Sequence, residues 1–274
     1  MILVAYSCKD QAGINIAKQV LNRNSFSKTE KRFKENPVYS AEIAGKQVNL
    51  VTLKDETVFA QTLPTYFTNP ELVVFLSRHS SQSGKPTLSV HTPGNFGNAE
   101  LGGLPRKLSV SPATAMRDAL KALARFKKEM SLNYDVSYEC THHGPSLNVP
   151  TMFVELGSSP QQWSDANAAE AVAQAAIQAI ANFRVSGQTA AIGIGGPHYN
   201  ERFTQMALND EAVFGHMIPK YAIANVDPVM LQECIERTME KVTCVILDWK
   251  GIKSQDKPKL LDALTEIKLP SKKM

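Results

Sequence analysis

Six histidines are the side chains of this sequence best suited to chemistry, and five of them follow segments that we predict to be β-strands. These five are His79, His91, the adjacent pair His142 and His143, and His198. Ligands of α/β proteins gather beyond the carboxyl ends of the strands in an open sheet. We therefore expect the five imidazoles to lie together at the carboxyl edge of one sheet. The sixth, His216, lies in a less regular segment, and we expect it either to be a packing residue or to support a residue of the site.

Two glutamates lie close to these histidines along the chain. Glu139 precedes the histidine pair, and Glu155 ends the apolar segment that begins at Thr151. On an extended strand Glu155 shares a face with Phe153, opposite the aliphatic residues between and after them. A carboxylate in such a segment is costly to bury without a partner. A metal ion, a protonated histidine or Arg78 would each be a suitable partner for Glu155.

Imidazoles together with a carboxylate are the usual ligands of catalytic zinc, which keeps an open position for water. We predict a zinc ion held by His142, His143, Glu155 and His198. Adjacent histidines point to opposite sides of an extended chain, so His142 and His143 can bind one ion only if a turn intervenes. It is equally plausible that one histidine of this pair binds the metal and the other acts as a base. No H-E-x-x-H motif supports the metal.

The same histidines are candidates for direct roles in catalysis. We select His79, His91, His142 and His143 as candidate catalytic residues, with His79 and His91 acting as bases or supporting the metal. The sequence has no G-x-S-x-G elbow, and the serines beside His79 lack the strand-turn-helix frame that activates a nucleophile. Cys140 directly precedes Thr141 and the histidine pair, but its place on a strand favours a core position.

Two segments of the chain are suited to binding a polar or anionic ligand. Residues 157–160, Gly-Ser-Ser-Pro, lead into a predicted helix over 160–183, where Ser158, Ser159 and free amides could bind an anion. Ordinary helix capping explains these serines equally well. Residues 92–107 form a long glycine-rich loop without helical periodicity, and such loops are usually functional. We expect Gly94, Asn95 and Phe96 of this loop to contact the substrate.

The elements that must position these residues alternate between strands and helices. We predict strands over 2–7, 38–43, 48–53, 72–76, 87–90, 136–141, 152–156, 190–194 and 242–247. We predict helices after Asp10 and over 112–130, 160–183, 201–209, 228–239 and 257–267, with Ser111 as the N-cap of the second. Residues 26–37 are expected to be a surface connection. This order predicts one α/β domain over 1–274, with a mixed, mostly parallel sheet and helices on both faces.

The composition is that of a globular protein, with 43% hydrophobic and 20% charged residues in 274. A net charge of +4 is compatible with an anionic partner such as RNA without requiring one. The four cysteines are far apart and form no C-x-x-C pair, so we expect reduced thiols. The sequence shows neither a signal peptide nor an apolar run of membrane-spanning length, and we expect no membrane association and a cytoplasmic location.

Five segments together resemble a known protein family. They are residues 75–81 (FLSRHSS), 89–97 (SVHTPGNFG), 140–146 (CTHHGPS), 153–159 (FVELGSS) and 195–199 (GGPHY). These segments are similar to motifs of the archaeal and plant type of D-aminoacyl-tRNA deacylase, and the flanking regions, including residues 247–251, also fit. The resemblance covers nearly the whole chain.

The resemblance implies a zinc-dependent enzyme that hydrolyses the ester between a D-amino acid and the terminal ribose of tRNA. It also implies a single α/β domain similar to the peptidyl-tRNA hydrolase and nucleoside phosphorylase architecture, and we expect a monomer. With tRNA as the partner, candidate phosphate contacts are Arg106, Lys107 and Lys250, together with Lys85 and the basic face of the 112–130 helix. Rejection of L-amino acids is assigned to the loop over 92–103.

Two other functions remain open from the residues alone. A zinc aminopeptidase or amidohydrolase that acts on small molecules would use the same histidines and glutamates. An RNA-binding or nucleotide-binding protein would use the histidines for stacking or phosphate contacts without turnover.

Overall fold

The protein is built around two β-sheets of unequal size, as seen in a computed structural model that describes residues 1–185 and 187–274. The strands are β1 Ile2–Ser7, β2 Ser27–Phe33, β3 Asn36–Ile43, β4 Lys46–Leu53, β5 Leu72–Arg78, β6 Thr87–His91, β7 Asp135–Tyr138, β8 Thr151–Gly157, β9 Thr189–Ile194, β10 Phe214–Ile218, β11 Lys241–Leu247 and β12 Ser271–Lys273. The helices are α1 Gln11–Arg23, α2 Ala113–Glu129, α3 Pro160–Trp163, α4 Ala166–Asn182, α5 Glu201–Leu208, α6 Pro228–Glu236 and α7 Lys257–Ile267.

The larger sheet has the strand order β2-β3-β4-β1-β5-β8-β6-β7, and the smaller sheet has the order β10-β9-β11-β12. Strands β4, β1, β5 and β8 are parallel to one another, and the smaller sheet is parallel throughout. Strands β2 and β3 pair antiparallel, as do β3 and β4, and β6 runs antiparallel to β8. The predicted α/β class with a mixed, mostly parallel arrangement is therefore confirmed, although the strands are divided between two sheets.

The two faces of the larger sheet are covered differently. Met152, Val154 and Leu156 of β8 point into a core that they share with α1, α2 and α4. Phe153 points to the opposite face, where it packs with Phe75 and is covered by 3-10 turns and loops. Long helices therefore cover one face of this sheet, and the expectation of helices on both of its faces is not met.

The smaller sheet packs α6 and α7 against one face through Ile192, Ile194 and Leu247. Its other face contributes Ala191 and Met217 to the core of the larger sheet, so the two sheets share buried apolar surface. No helix among the described residues is long and apolar enough to cross a membrane.

Strands β2, β10 and β12 were not predicted from the sequence, and one predicted helix is divided in two. The expected surface connection over 26–37 contains strand β2, which pairs antiparallel with β3. Its residues are mostly exposed and polar, so hydrogen bonding to a neighbour makes this strand and no hydrophobic alternation reveals it. The expected helix over 160–183 is broken between α3 and α4, because the Asp165 side chain accepts hydrogen bonds from the amides of Asn167 and Ala168.

The start of α2 also differs from the prediction that Ser111 is its N-cap. Pro112 occupies that position and makes no capping hydrogen bond, and the Ser111 hydroxyl has no hydrogen-bond partner among the described residues. The carboxylate of Glu240, which precedes β11, accepts hydrogen bonds from the amides of Ala113 at 2.9 Å and Thr114 at 2.8 Å. The cap is therefore supplied by a residue distant in sequence.

Removing this distant cap should destabilise the fold. The change Glu240→Ala leaves two amides at the start of α2 without an acceptor, and we expect the free energy of unfolding to fall by about 2 kcal/mol. Urea unfolding measures this value. The matched control is Glu266→Ala, which removes an exposed glutamate of α7 and should change the free energy by less than about 0.5 kcal/mol. Equal effects of the two changes would contradict the role of Glu240 as a cap.

Candidate active site

A strip of polar side chains runs across one face of the larger sheet. Glu155 on β8 pairs in register with Ser77 on β5 and Ser89 on β6. By strand alternation these residues share the face of Phe153, and His91 extends the strip because it pairs with Phe153. Since the opposite face of the same strands is apolar, the sheet separates the polar centre from its main core.

The histidines do not lie at the carboxyl edge of one sheet, as the sequence suggested. Strand β6 runs antiparallel to β8, whereas β5 runs parallel to it. The carboxyl end of β6, which carries His91, therefore points in the opposite direction to the carboxyl end of β5, which His79 follows. His198 follows β9, which belongs to the smaller sheet. The five side chains still meet, because the loops after β5, β7 and β9 converge over the polar strip.

The adjacent histidines reach the centre through a turn. His143 has a φ of +41°, and the amide of Gly94 donates to the carbonyls of both His142 and His143. The two rings lie 4.2 Å apart between centroids, so the turn that the sequence required is present. Each Nδ1 lies within hydrogen-bond distance of a carbonyl oxygen, that of Cys140 for His142 and that of Gly144 for His143. Because a carbonyl only accepts, each Nδ1 carries the proton and each Nε2 keeps a lone pair.

His91 lies beside this pair, with its ring centroid 4.3 Å from that of His142 and 4.9 Å from that of His143. Its ring stacks on Phe153, and neither of its nitrogens has a hydrogen-bond partner among the described residues. Burial lowers the pKa of His91 to about 4 and that of His143 to about 3. Burial also lowers the pKa of His142, as does the neighbouring His143. The three imidazoles are therefore neutral.

Glu139 lies between three of the histidines, His79, His142 and His198. Its Oε2 is 2.9 Å from Nε2 of His198 and 3.6 Å from Nε2 of His142, and its Oε1 is 3.3 Å from Nδ1 of His79. Burial would raise the pKa of this carboxyl, but the hydrogen bond from His198 and the adjacent His79 imidazole hold it well below its usual range. Glu139 is therefore an ionised, buried carboxylate. No local pattern in the sequence distinguishes Glu139 from Glu155, because only contacts across the fold separate their roles.

Glu155 has the opposite protonation preference. Its Oε1 accepts a hydrogen bond from the Ser77 hydroxyl at 2.6 Å, and it lies 3.6 Å from Nε2 of His91. Burial and the negative charge of Glu139 raise the pKa of Glu155 well above its usual range. The site therefore holds one carboxylate that stays ionised and one that favours its protonated form.

Two tyrosines that the sequence analysis did not assign complete the contacts. The Tyr199 hydroxyl lies 2.7 Å from Nε2 of His79, and the Tyr221 hydroxyl lies 3.0 Å from Nδ1 of His198. Burial raises the pKa of Tyr221 to about 12 and raises that of Tyr199 as well, so both phenols keep their protons. Tyr199 follows His198 in the quoted GGPHY segment, whereas nothing in the sequence around Tyr221 distinguishes it.

Two cavities open at this centre. The first, which we call the histidine pocket, has a volume of about 490 Å³. Its lining includes Asp10, Glu56, Phe59, Arg78, Leu101, Glu139, His142, His143, Glu155 and His198. The second, which we call the lysine groove, has a volume of about 1000 Å³ and is lined in part by Lys85, Lys127, Lys128, Ser158 and Glu201. His79 and Tyr199 line both cavities, so the two cavities meet at these residues.

The predicted substrate contacts of the 92–107 loop mostly lie elsewhere. Asn95 is buried and donates to the carbonyls of Gly102 and Leu104, and Phe96 is buried in the core of the smaller sheet. The amide of Gly94 holds the histidine turn. Among the described residues of this loop, only Leu101 lines the histidine pocket.

The remaining predicted contacts divide between the two sides of the molecule. The Ser158 hydroxyl donates to the Lys85 carbonyl beside the lysine groove, whereas the Ser159 hydroxyl donates to Gln162. Arg106 pairs with Asp227 and Lys107 with Glu233, on and beside α6, and Lys250 is exposed on a 3-10 turn. None of these three basic residues is among the described residues that line either cavity.

The predicted metal ligands are distributed over three clusters whose ligand atoms lie within 4.8 Å of one another. The clusters are His91 with His142 and His143, Glu139 with His142 and His198, and His79 with Glu139 and Glu155. Among the described residues, none of the three clusters is the predicted set of His142, His143, Glu155 and His198.

His216 lies apart from the other five histidines, on strand β10, and its side chain is fully buried. Its Nδ1 is 3.2 Å from the Thr141 hydroxyl and its Nε2 is 3.1 Å from the Arg237 carbonyl. These contacts are those of a packing residue, as the sequence suggested.

An α/β domain in which buried imidazoles and carboxylates line an open pocket is typical of a hydrolytic enzyme. A family model described as D-aminoacyl-tRNA deacylase matches residues 66–272. The D-aminoacyl-tRNA deacylase of Thermococcus onnurineus is 36% identical over 263 residues, which is 94% of this chain and 93% of that protein. That of Pyrococcus abyssi is 36% identical over 252 residues, 90% of each chain. The chain belongs to the D-aminoacyl-tRNA deacylase family.

A solved structure supports the same fold. The crystal structure of a conserved protein of unknown function, AF0625, superimposes with a TM-score of 0.88 at 29% sequence identity. The match covers 100% of this chain and 95% of that one. The predicted likeness to the nucleoside phosphorylase and peptidyl-tRNA hydrolase architecture stays a prediction.

The buried, neutral His216 should make stability depend on pH. Burial lowers the pKa of His216 to about 4, while the unfolded chain has the ordinary value near 6.5, so between these values the unfolded state binds more protons. Stability should therefore fall as the pH drops from about 6.5 to about 4. We expect His216→Gln to weaken this dependence by up to about 1.4 kcal/mol per pH unit. Urea unfolding across this range measures it, and equal slopes in both proteins would contradict the assignment.

Proposed function

We propose that this protein hydrolyses the ester bond between a D-amino acid and the 3′-terminal ribose of tRNA, releasing the free D-amino acid and tRNA. The observation that supports this most strongly is the convergence of five histidines with Glu139 and Glu155, most of which line the histidine pocket. All of these residues lie inside the matched family region. The relatives from Thermococcus onnurineus and Pyrococcus abyssi carry the name of this activity.

We also propose that the enzyme depends on zinc, with His91, His142 and His143 as ligands. The unpartnered nitrogens of His91 and the available Nε2 lone pairs of the histidine pair support this assignment. Carbonyl oxygens that hold the Nδ1 protons of metal-ligating histidines are a common supporting arrangement. His198 fits less well because both of its nitrogens already have partners. Bound zinc would supply a water molecule of lowered pKa and an open coordination position.

Proton transfer can be assigned to His79. Burial opposes protonation of this imidazole, but the adjacent carboxylate of Glu139 outweighs that effect and raises its pKa. Nδ1 faces Glu139, and Nε2 faces a Tyr199 hydroxyl that can donate to it or accept from it. His79 can thus keep both contacts in either protonation state. In this proposal it takes a proton from the attacking water and returns one to the ribose oxygen that leaves.

Selection between enantiomers stays a prediction for the loop over 92–103. Leu101 is the residue of this loop that lines the histidine pocket, so any steric rejection of the L side chain by the loop is assigned to Leu101. The predicted cytoplasmic location and monomeric state stay predictions.

Loss of one proposed ligand should remove activity while leaving the fold intact. We expect His142→Ala to lower kcat/KM for D-tyrosyl-tRNA by roughly 10²- to 10⁴-fold. The matched control is His216→Gln, which replaces a buried histidine outside the site and should retain activity within a few fold. Circular dichroism checks that both variants are folded. Full activity of His142→Ala would remove this residue from the mechanism.

Chelation and substrate handedness test the metal and the reaction separately. We expect a chelator to abolish hydrolysis of D-tyrosyl-tRNA, added zinc to restore it, and L-tyrosyl-tRNA to be a poor substrate. Unchanged activity after complete metal removal would overturn the zinc proposal alone. Equal rates with both enantiomers would overturn the proposed selectivity.

The same assays distinguish the two alternative functions. Absence of turnover by folded, metal-loaded protein would favour an RNA-binding role. Turnover of aminoacyl amides alone would favour an amidohydrolase.

A further inference from the structure

The two cavities that meet at His79 and Tyr199 differ in their chemistry. Lys85, Lys127 and Lys128 line the lysine groove, and Ser81 and Asn133 add hydrogen-bonding groups to its wall. Its volume of about 1000 Å³ lies at the upper end of the usual range for small-molecule sites. The groove therefore has room for much more than an amino acid.

The positive charge of the groove is available to a ligand. Lys127 and Lys128 lie in the last turn of α2, and no ion pair joins either of them to another residue in the described part of the chain. Lys85 pairs with Asp135, but both side chains are largely exposed, and such pairs contribute little. A polyanion that displaces Asp135 from Lys85 would gain a third cationic contact at small cost.

The histidine pocket is lined by different ionisable groups. Its carboxyl groups are those of Asp10, Glu56, Glu139 and Glu155. The guanidinium of Arg78 is already paired with Glu56, and no lysine lines the pocket among the described residues. The described lining therefore offers acceptors for an α-ammonium group and no unpaired lysine or arginine for a phosphate chain.

Two large apolar side chains are exposed where the histidine pocket opens. Phe59 is 59% exposed and Leu101 is 60% exposed, although both line the pocket. Gly102 approaches the backbone of Val58 so closely that a Cβ there would lie 2.1 Å from its carbonyl oxygen, so the two loops lie against each other at this point. Exposed apolar surface at the rim of a functional pocket is suited to an apolar ligand group.

From these contrasts we propose that the substrate lies across both cavities, with the 3′ end of the RNA in the lysine groove and the aminoacyl group in the histidine pocket under Phe59 and Leu101. This inference rests on the proposed function. The ester, which joins the two parts of the substrate, then lies beside His79 and Tyr199, the residues that the cavities share. The placement differs from a tRNA path over Arg106, Lys107 and Lys250.

The RNA half of the proposal is tested with uncharged tRNA, whose binding does not require turnover. We expect Lys127→Ala/Lys128→Ala to weaken tRNA binding at least about tenfold and to reduce the slope of log Kd against log salt by about 1.4, or 0.7 for each phosphate contact. With D-tyrosyl-tRNA we expect KM to rise and kcat to stay the same. The matched control Arg106→Ala/Lys107→Ala removes the same number of positive charges beside α6 and should bind tRNA as the unaltered protein does.

The possible outcomes separate this inference from the proposed function. If the control pair weakens tRNA binding and the groove pair does not, the RNA lies over α6 and the groove assignment is overturned. If the unaltered protein binds tRNA through the groove lysines but does not hydrolyse D-tyrosyl-tRNA, the proposed function fails and the groove assignment stands.

The aminoacyl half is tested by shortening Phe59. We expect Phe59→Ala to raise KM for D-tyrosyl-tRNA about tenfold and to affect D-alanyl-tRNA much less, with no change in the Kd for uncharged tRNA. The control Leu104→Ala shortens an exposed apolar residue that does not line the pocket, and it should change neither KM. Weaker binding of uncharged tRNA by Phe59→Ala would show that Phe59 contacts the RNA, and it would overturn this half of the proposal.

Discussion

The site depends on the pairing of one buried carboxylate. Glu139 is almost fully buried and ionised, and a buried charge is strongly destabilising unless hydrogen-bonded partners surround it. His198 after β9 forms such a hydrogen bond, and the His79 imidazole after β5 lies 3.3 Å from the other carboxylate oxygen, so the two neighbours come from different sheets. Backbone contacts reinforce the connection, since Glu139 forms a β-bridge with Tyr199 and the Cys140 amide donates to the His198 carbonyl. The contacts that join the two sheets here are thus also contacts of the centre.

Around this carboxylate the imidazoles divide into two groups with different properties. His91, His142 and His143 are neutral, because burial and mutual repulsion oppose their protonation. His79 lies between Glu139 and Tyr199, and the adjacent carboxylate of Glu139 favours its charged form. Environments that move the pKa values of similar groups apart allow one site to hold both metal-binding ligands and a proton carrier. Glu139 and Glu155 show the same separation among the carboxyl groups.

Much of this arrangement could be predicted from local patterns in the sequence. Apolar runs indicated most of the strands, and the histidines at their ends indicated the site, because the carboxyl ends of strands carry ligands in α/β folds. What could not be predicted depends on contacts between distant segments. No local pattern indicates the reversed direction of β6 or the separate sheet that contains β9. The same is true of the capping of α2 by Glu240 and of the position of Glu139 among the histidines. Strand β2 was missed for another reason, because its mostly exposed polar residues show no hydrophobic alternation.

The alternation along β6 has a consequence for misfolding. Ser89 and His91 face the polar strip, while Leu88 and Val90 face the main core. A shift of one residue in the pairing of β6 with β8 would exchange these sets, placing an imidazole among aliphatic side chains and two aliphatic side chains in the polar centre. Such a shift is penalised on both faces of the sheet at once. His91 therefore has a second effect, which is to fix the register of this strand against its neighbour.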